Sequence, residues 1–181
     1  MQQYQGFNDQ PGLQQALAAS GVVAWWQGGA FFVSDLAAAQ SVVAAYNPLP
    51  AIQQAALATV AATLAARIAA GFNYNGVLVA CDDAAQGRID RVANMAENII
   101  AGRSAVTWTS RTWPPFALGN PGLSLATAQD MITFGTAVGD YVADNEFHAA
   151  DLTAQIMAST ATAASIAALD LDNSKGTWPT S

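Results

Sequence analysis

The chain has 181 residues, of which 52% are hydrophobic and only 10% charged, with a net charge of -7; ordinary globular domains carry roughly 25% charged residues. One lysine, Lys175, and the scattered arginines Arg67, Arg88, Arg91, Arg103 and Arg111 form no dense basic patch, which argues against nucleic acid as a partner. So little charge means that the surface is covered by Gln, Asn, Ser and Thr or is buried against other subunits, and the second reading is the simpler. Cys81 is the only cysteine and makes no intrachain disulfide. The polar opening Met1 to Asn8 has neither the basic start nor the apolar core of a signal peptide.

In chain order, Met1 to Gly12 reads as an extended arm or a loosely held end. Leu13 to Ala19 makes a short helix stopped by Ser20-Gly21. Val22 to Trp26 and Ala30 to Val33 are β-rich runs around Gly28-Gly29, a hairpin pattern. Ser34-Asp35 caps a helix from Leu36 to Tyr46, which Asn47-Pro48 ends. Pro50 suits the first turn of the next helix, Ala51 to Ala70. There Leu57, Val60, Leu64 and Ile68 form one apolar stripe, and the opposite side is mostly alanine. That helix fits the centre of a bundle, a subunit contact or a single core position. Gln53, Gln54, Thr59, Thr63 and Arg67 make it too weakly apolar for a bilayer span.

Asn75-Gly76, between Phe72-Asn73-Tyr74 and Val77-Leu78-Val79, is the strongest hairpin signal in the chain. Asp82-Asp83 caps a helix from Ala84 to Ala101 with Ile89, Val92, Ala96 and Ile99 or Ile100 on its apolar face. Ala105 to Thr109 reads as a strand, Trp113-Pro114-Pro115-Phe116 and Gly119 to Gly122 as a rigid loop, and Leu123-Ser124-Leu125 as a short returning strand. Thr127 and Asp130 resemble a capping box that opens a long helix to about Ser159. On it Gly135 and Gly139 suit close helix contact. A last helix, Ala161 to Leu169, precedes the tail Asp170 to Ser181.

Few residues suggest chemistry. His148, the only histidine, shares a helix face with Asp144, but two ligands do not make a zinc site. Cys81 has no histidine beside it, and Asp82 and Asp83 raise rather than lower its pKa. Asp170, Asp172 and Gly176 only faintly resemble a calcium loop, without its central glycine and closing glutamate. No catalytic residue, metal or cofactor is expected. Aromatic clusters remain, at Trp25, Trp26, Phe31 and Phe32, at Trp108, Trp113 and Phe116, and at Trp178. Such clusters anchor interfaces, stack on sugars or fill local core.

The run Arg67 to Val77, followed by Asp82-Asp83, Arg88-Ile89 and Val106-Thr107-Trp108, resembles the DUF4376 type of domain of tailed-phage proteins. Ala30 to Asp35, Ala45 to Leu49, Ile166 to Asp170 and Gly176 to Pro179 look like the flanks of such domains. The proline-rich loop Arg111 to Gly122 is longer than the usual turn of the family, and the chain is poorer in charge. The resemblance implies a non-enzymatic tail or tail-fibre component that resides in the virion after synthesis in the host cytoplasm. It acts by attachment to other tail or fibre subunits, as a homo-oligomer, with a host surface receptor as a further partner. An assembly chaperone and an envelope-polysaccharide hydrolase using Asp82, Asp83 or Glu146 are the alternatives.

The expected fold is α+β, mostly α-helical with two or three small β-hairpins, its alanine-rich helices packing in an oligomer. The expected division is 1–50 (arm, aromatic hairpin, short helix), 51–71 (connecting helix) and 72–181 (hairpin-helix-strand-helix domain with tail). The interface candidates are Trp25, Trp26, Phe31, Phe32, Leu57, Val60, Leu64, Ile68, Trp113, Phe116 and Trp178.

Overall fold

Caps and turns set where the elements begin and end. A computed structural model describes residues 2–114 and 121–180, and its elements are helical with small antiparallel sheets, the α+β class expected. Among the described residues, those up to Leu57 together with Ile156–Ala168 form one unit. Those from Ala58 to Gln155 and from Leu169 onward form a second. α3 (Leu49–Ala70) is a single helix that contributes residues to both units.

In the first unit, β2 (Ala24–Gln27) and β3 (Ala30–Val33) make the expected hairpin, with Trp25 opposite Phe32 and Trp26 opposite Phe31. The amino-terminal stretch is not a loose arm. β1 (Gln2–Gln3) adds to the free edge of β3, and the Tyr4 amide donates to the Phe31 carbonyl at 2.8 Å. Aromatic burial is the reason: Phe7 stacks on Phe31 with centroids 3.7 Å apart, and Tyr4 meets Phe7 edge-on. α1 (Leu13–Ala19) contributes Leu13 and Leu17 to a core with Val22, Phe31, Val33 and Ala39. α2 (Leu36–Ala45) starts at Asp35, whose carboxylate accepts from the Ala38 amide at 3.0 Å. Gly12 has a φ of 80°, and a Cβ there would lie 2.8 Å from the Ala51 Cβ, so this close approach admits only glycine.

In the second unit, β4 (Phe72–Tyr74) and β5 (Val77–Val79) pair across Asn75 and Gly76, with φ of 51° and 81°. Two successive positive φ values are what a type I′ turn requires. α4 (Asp83–Ile100) is capped by Asp82, which accepts from the Ala85 amide at 2.8 Å. It buries Ile89 and Ala96, while Ile100 is exposed, so Ile99 closes the apolar face. β6 (Arg111–Trp113) and β7 (Leu123–Leu125) are antiparallel.

Ala105 to Thr109 is irregular rather than a strand. The short β7 pairs with residues 111–113 instead, and Trp108 reaches it through its side chain, Nε1 donating to the Leu125 carbonyl at 3.3 Å. α5 (Ala128–Met157) opens with the expected capping box: the Thr127 amide donates to Asp130 at 2.8 Å and the Asp130 amide to Thr127 Oγ1 at 3.1 Å. A Cβ on Gly135 would lie 3.2 Å from Ala93 and 3.4 Å from Ile89, so this glycine permits close packing of α4 and α5; Gly139 faces open space and has no such role. Phe134, Met131 and Val138 of α5 fill the core between β4–β5, β7 and α4. α6 (Ala163–Ala167) belongs to the first unit and carries a Thr162–Ser165 capping box.

Candidate functional site

The polar interior of the second unit is organised by a single arginine. Arg67, on the last turn of α3, donates through Nε to Asn145 Oδ1 at 2.5 Å and through a guanidinium nitrogen to the Pro179 carbonyl. Its guanidinium carbon lies 5.7 Å from the ring centroid of Trp178, within cation–π range. Asn145, on α5, is fully buried, and its amide nitrogen donates to the Tyr141 carbonyl at 2.7 Å. Trp178 also meets His148 in an edge-to-face arrangement, 4.9 Å between centroids. His148 Nε2 is buried and makes no hydrogen bond among the described residues.

Trp178 is held by the loop that precedes it. Its Nε1 donates to the Asp170 carbonyl at 2.8 Å. The Asp170 carboxylate accepts from the Lys175 amide at 3.0 Å, and from the Thr177 amide and hydroxyl at 2.9 Å each. Burial alone would push that carboxyl up, but the Thr177 and Lys175 donors outweigh it and hold Asp170 below the usual carboxylate range. The Ser174 side chain and amide likewise lower Asp172. The stretch that faintly resembled a calcium loop is therefore a self-satisfied turn around one aspartate. No three His, Cys, Asp or Glu side chains converge on a metal-sized point among the described residues.

Residues 51–171 match the profile described as Domain of unknown function (DUF4376). The chain belongs to that family. No curated protein and no solved structure matches it. The matched span begins in α3 and ends just beyond Asp170, so the DUF4376 region holds Arg67, Asn145 and Asp170, while Trp178 lies after it.

Within and around DUF4376 the expected interface residues separate. Phe31, Val60 and Trp178 are buried in the interior of the fold. Trp25, Phe32, Leu57, Leu64, Ile68 and Trp113 are half-buried; Ile68 and Trp113 pack against the main core. Trp26 and Val23 are both exposed. Phe116 lies outside the described residues. Cys81 is buried, and its thiol meets the Ile68 carbonyl at 3.2 Å. Burial first, and the Asp82 charge second, push that thiol up, away from the thiolate a nucleophile needs.

The feature that the apolar stripe of α3 concealed is the opposite face. Ala55, Ala58, Ala62, Ala65 and Ala69 recur at alternating spacings of three and four, and all are exposed. α3 is 22 residues long, and only 11% of its most apolar stretch, with a mean hydropathy of 1.4, is buried. By length and composition it is the one helix among the described residues long and apolar enough to cross a membrane. Beside its last turns an open groove of about 650 Å³ runs between Ala58, Ala62, Ala66 and Ala70 and the loop at Asp172 and Asn173. The spacing was legible in the sequence, but an alanine-rich helix offers several such rows, and only exposure distinguishes them.

Proposed function

We propose that this chain is a structural subunit of a tailed-phage particle, in the tail or tail-fibre apparatus, that works by protein–protein attachment and assembles with copies of itself along α3. The exposed alanine row Ala55–Ala58–Ala62–Ala65–Ala69 carries this reading. A repeat of three and four residues keeps one seam of a helix facing a partner helix, and alanine lets backbones approach closely. An apolar helix left largely exposed is costly in water unless another surface covers it. The low charge of the whole chain, 10% of residues, favours the same arrangement.

Subunit contact is favoured over a bilayer span by the polar commitments of α3. The Gln53 side chain donates to the Ile156 carbonyl at 2.7 Å, and Arg67 is bound to Asn145. Both anchor the helix to protein rather than to lipid. Phage placement rests on what the resemblance to DUF4376-type domains of tailed-phage proteins implies. Hydrolase chemistry has little support: the Asp82 carboxylate serves as the cap of α4, and Glu146 is exposed.

Two measurements test the reading. Sedimentation equilibrium of the purified chain should give an oligomer that Ala62→Glu converts to monomer while the helical circular dichroism is kept. A wild-type chain that stays monomeric at high micromolar concentration overturns self-assembly. Mass spectrometry of purified particles should detect the chain; its presence only in infected-cell extract identifies an assembly chaperone instead.

A further inference from the structure

A second concave surface lies beside the β6–β7 hairpin, on the side of the second unit formed by α4, β6 and the start of α5. It encloses about 440 Å³, within the range of small-molecule sites. Trp108, Arg111, Thr112 and Trp113 line it, over a floor that includes Leu125 and Met131. Its aromatic walls are fixed before any ligand arrives. Trp108 is held by its Nε1 bond to the Leu125 carbonyl at 3.3 Å, and Trp113 packs on the buried Phe134 with centroids 5.6 Å apart. Arg111 lies over the Trp108 ring, guanidinium carbon to centroid 5.2 Å. A guanidinium is a planar donor fork that matches a carboxylate. Among the described residues the Arg111 side chain has no carboxylate partner.

We propose that this pocket binds a saccharide unit bearing a carboxylate, such as a uronic acid. A pyranose ring presents C–H bonds on its face, which suit an indole such as Trp113, and hydroxyls at its edge, which suit the guanidinium. A carboxylate at the edge supplies the counter-charge to the Arg111 guanidinium. The site is distinct from the α3 face, and its test does not depend on oligomerisation.

The experiment is titration calorimetry of the full chain with a glucuronate-containing tetrasaccharide, its uncharged glucose counterpart and benzoate. Binding of the uronate oligosaccharide is expected, with the uncharged one at least about tenfold weaker, because it forfeits the charge-assisted bond to Arg111. Arg111→Gln should weaken uronate binding by the same order, and the Trp108 and Trp113 indole N–H resonances should shift in the wild type. The exposed position of Arg111 keeps the variant folded, which its unchanged thermal melt verifies. No uronate binding at millimolar concentration, equal binding after Arg111→Gln, or benzoate binding in preference to the uronate each overturns the proposal.

Discussion

Arg67 and Trp178 meet face to cation across 5.7 Å, and the same arginine binds Asn145 Oδ1 at 2.5 Å. One side chain thus joins the end of α3, the middle of α5 and the carboxy-terminal segment. Replacing Arg67 by Met leaves the buried Asn145 without its donor and frees the segment around Trp178. Such an orphaned group costs about 1–3 kcal/mol. Urea denaturation should report a loss of that size, with faster hydrogen exchange at the Thr177 and Trp178 amides. Unchanged exchange in Arg67→Met would show that the arginine does not hold the segment.

Asp170 gives this segment a pH dependence. Its folded carboxyl titrates below the ordinary range because Thr177 and Lys175 donors outweigh the effect of burial. A depressed folded value means that the contribution is full above the unfolded carboxylate range, near pH 4. It is lost as pH falls from there through the folded value. The melting temperature of the wild type should therefore drop on acidification below about pH 4. In Asp170→Asn it should start lower at neutral pH and fall less steeply. Parallel acid limbs for the two proteins would rule this linkage out.

Cys81 should be inert while the chain is folded. Its thiol is buried, and burial and Asp82 both push it up. Reaction with an aromatic disulfide reagent at pH 8 should be slow in buffer and accelerate in step with the unfolding transition in urea. Stoichiometric labelling within seconds without denaturant would contradict the buried position.

Gly122 is packed against strand β6, where a Cβ would come within 2.8 Å of the Trp113 carbonyl oxygen. The obstruction is backbone, so it does not yield by a rotamer change. Gly122→Ala should destabilise the second unit by about 1–3 kcal/mol, lowering the urea midpoint and broadening the Trp113 indole resonance. Gly139→Ala, at a helical position with open space, should instead be neutral or mildly stabilising. Equal midpoints for the two variants would count against this packing.

Short-range chemistry was legible from neighbouring residues alone. The Asp35 and Asp82 caps, the Thr127–Asp130 box and the Asn75-Gly76 turn each satisfy backbone groups within a few positions, so their residue types announce them. The DUF4376 family was legible too, and the match over residues 51–171 bears out that membership. The strand expected at Ala105 to Thr109 failed because alternation alone does not choose a partner: β7 pairs with 111–113.

By itself, then, the sequence determined the helices and hairpins, their caps and the scarcity of reactive groups. The tertiary structure decided which of the apolar faces is covered. On α3 it buried Val60 and left the alanine row outside, although both rows have helical spacing. It also brought Arg67 to Asn145, separated by 78 positions, and to Trp178 near the carboxy terminus. Such pairings depend on burial and chain closure over long separations, and no local propensity encodes them.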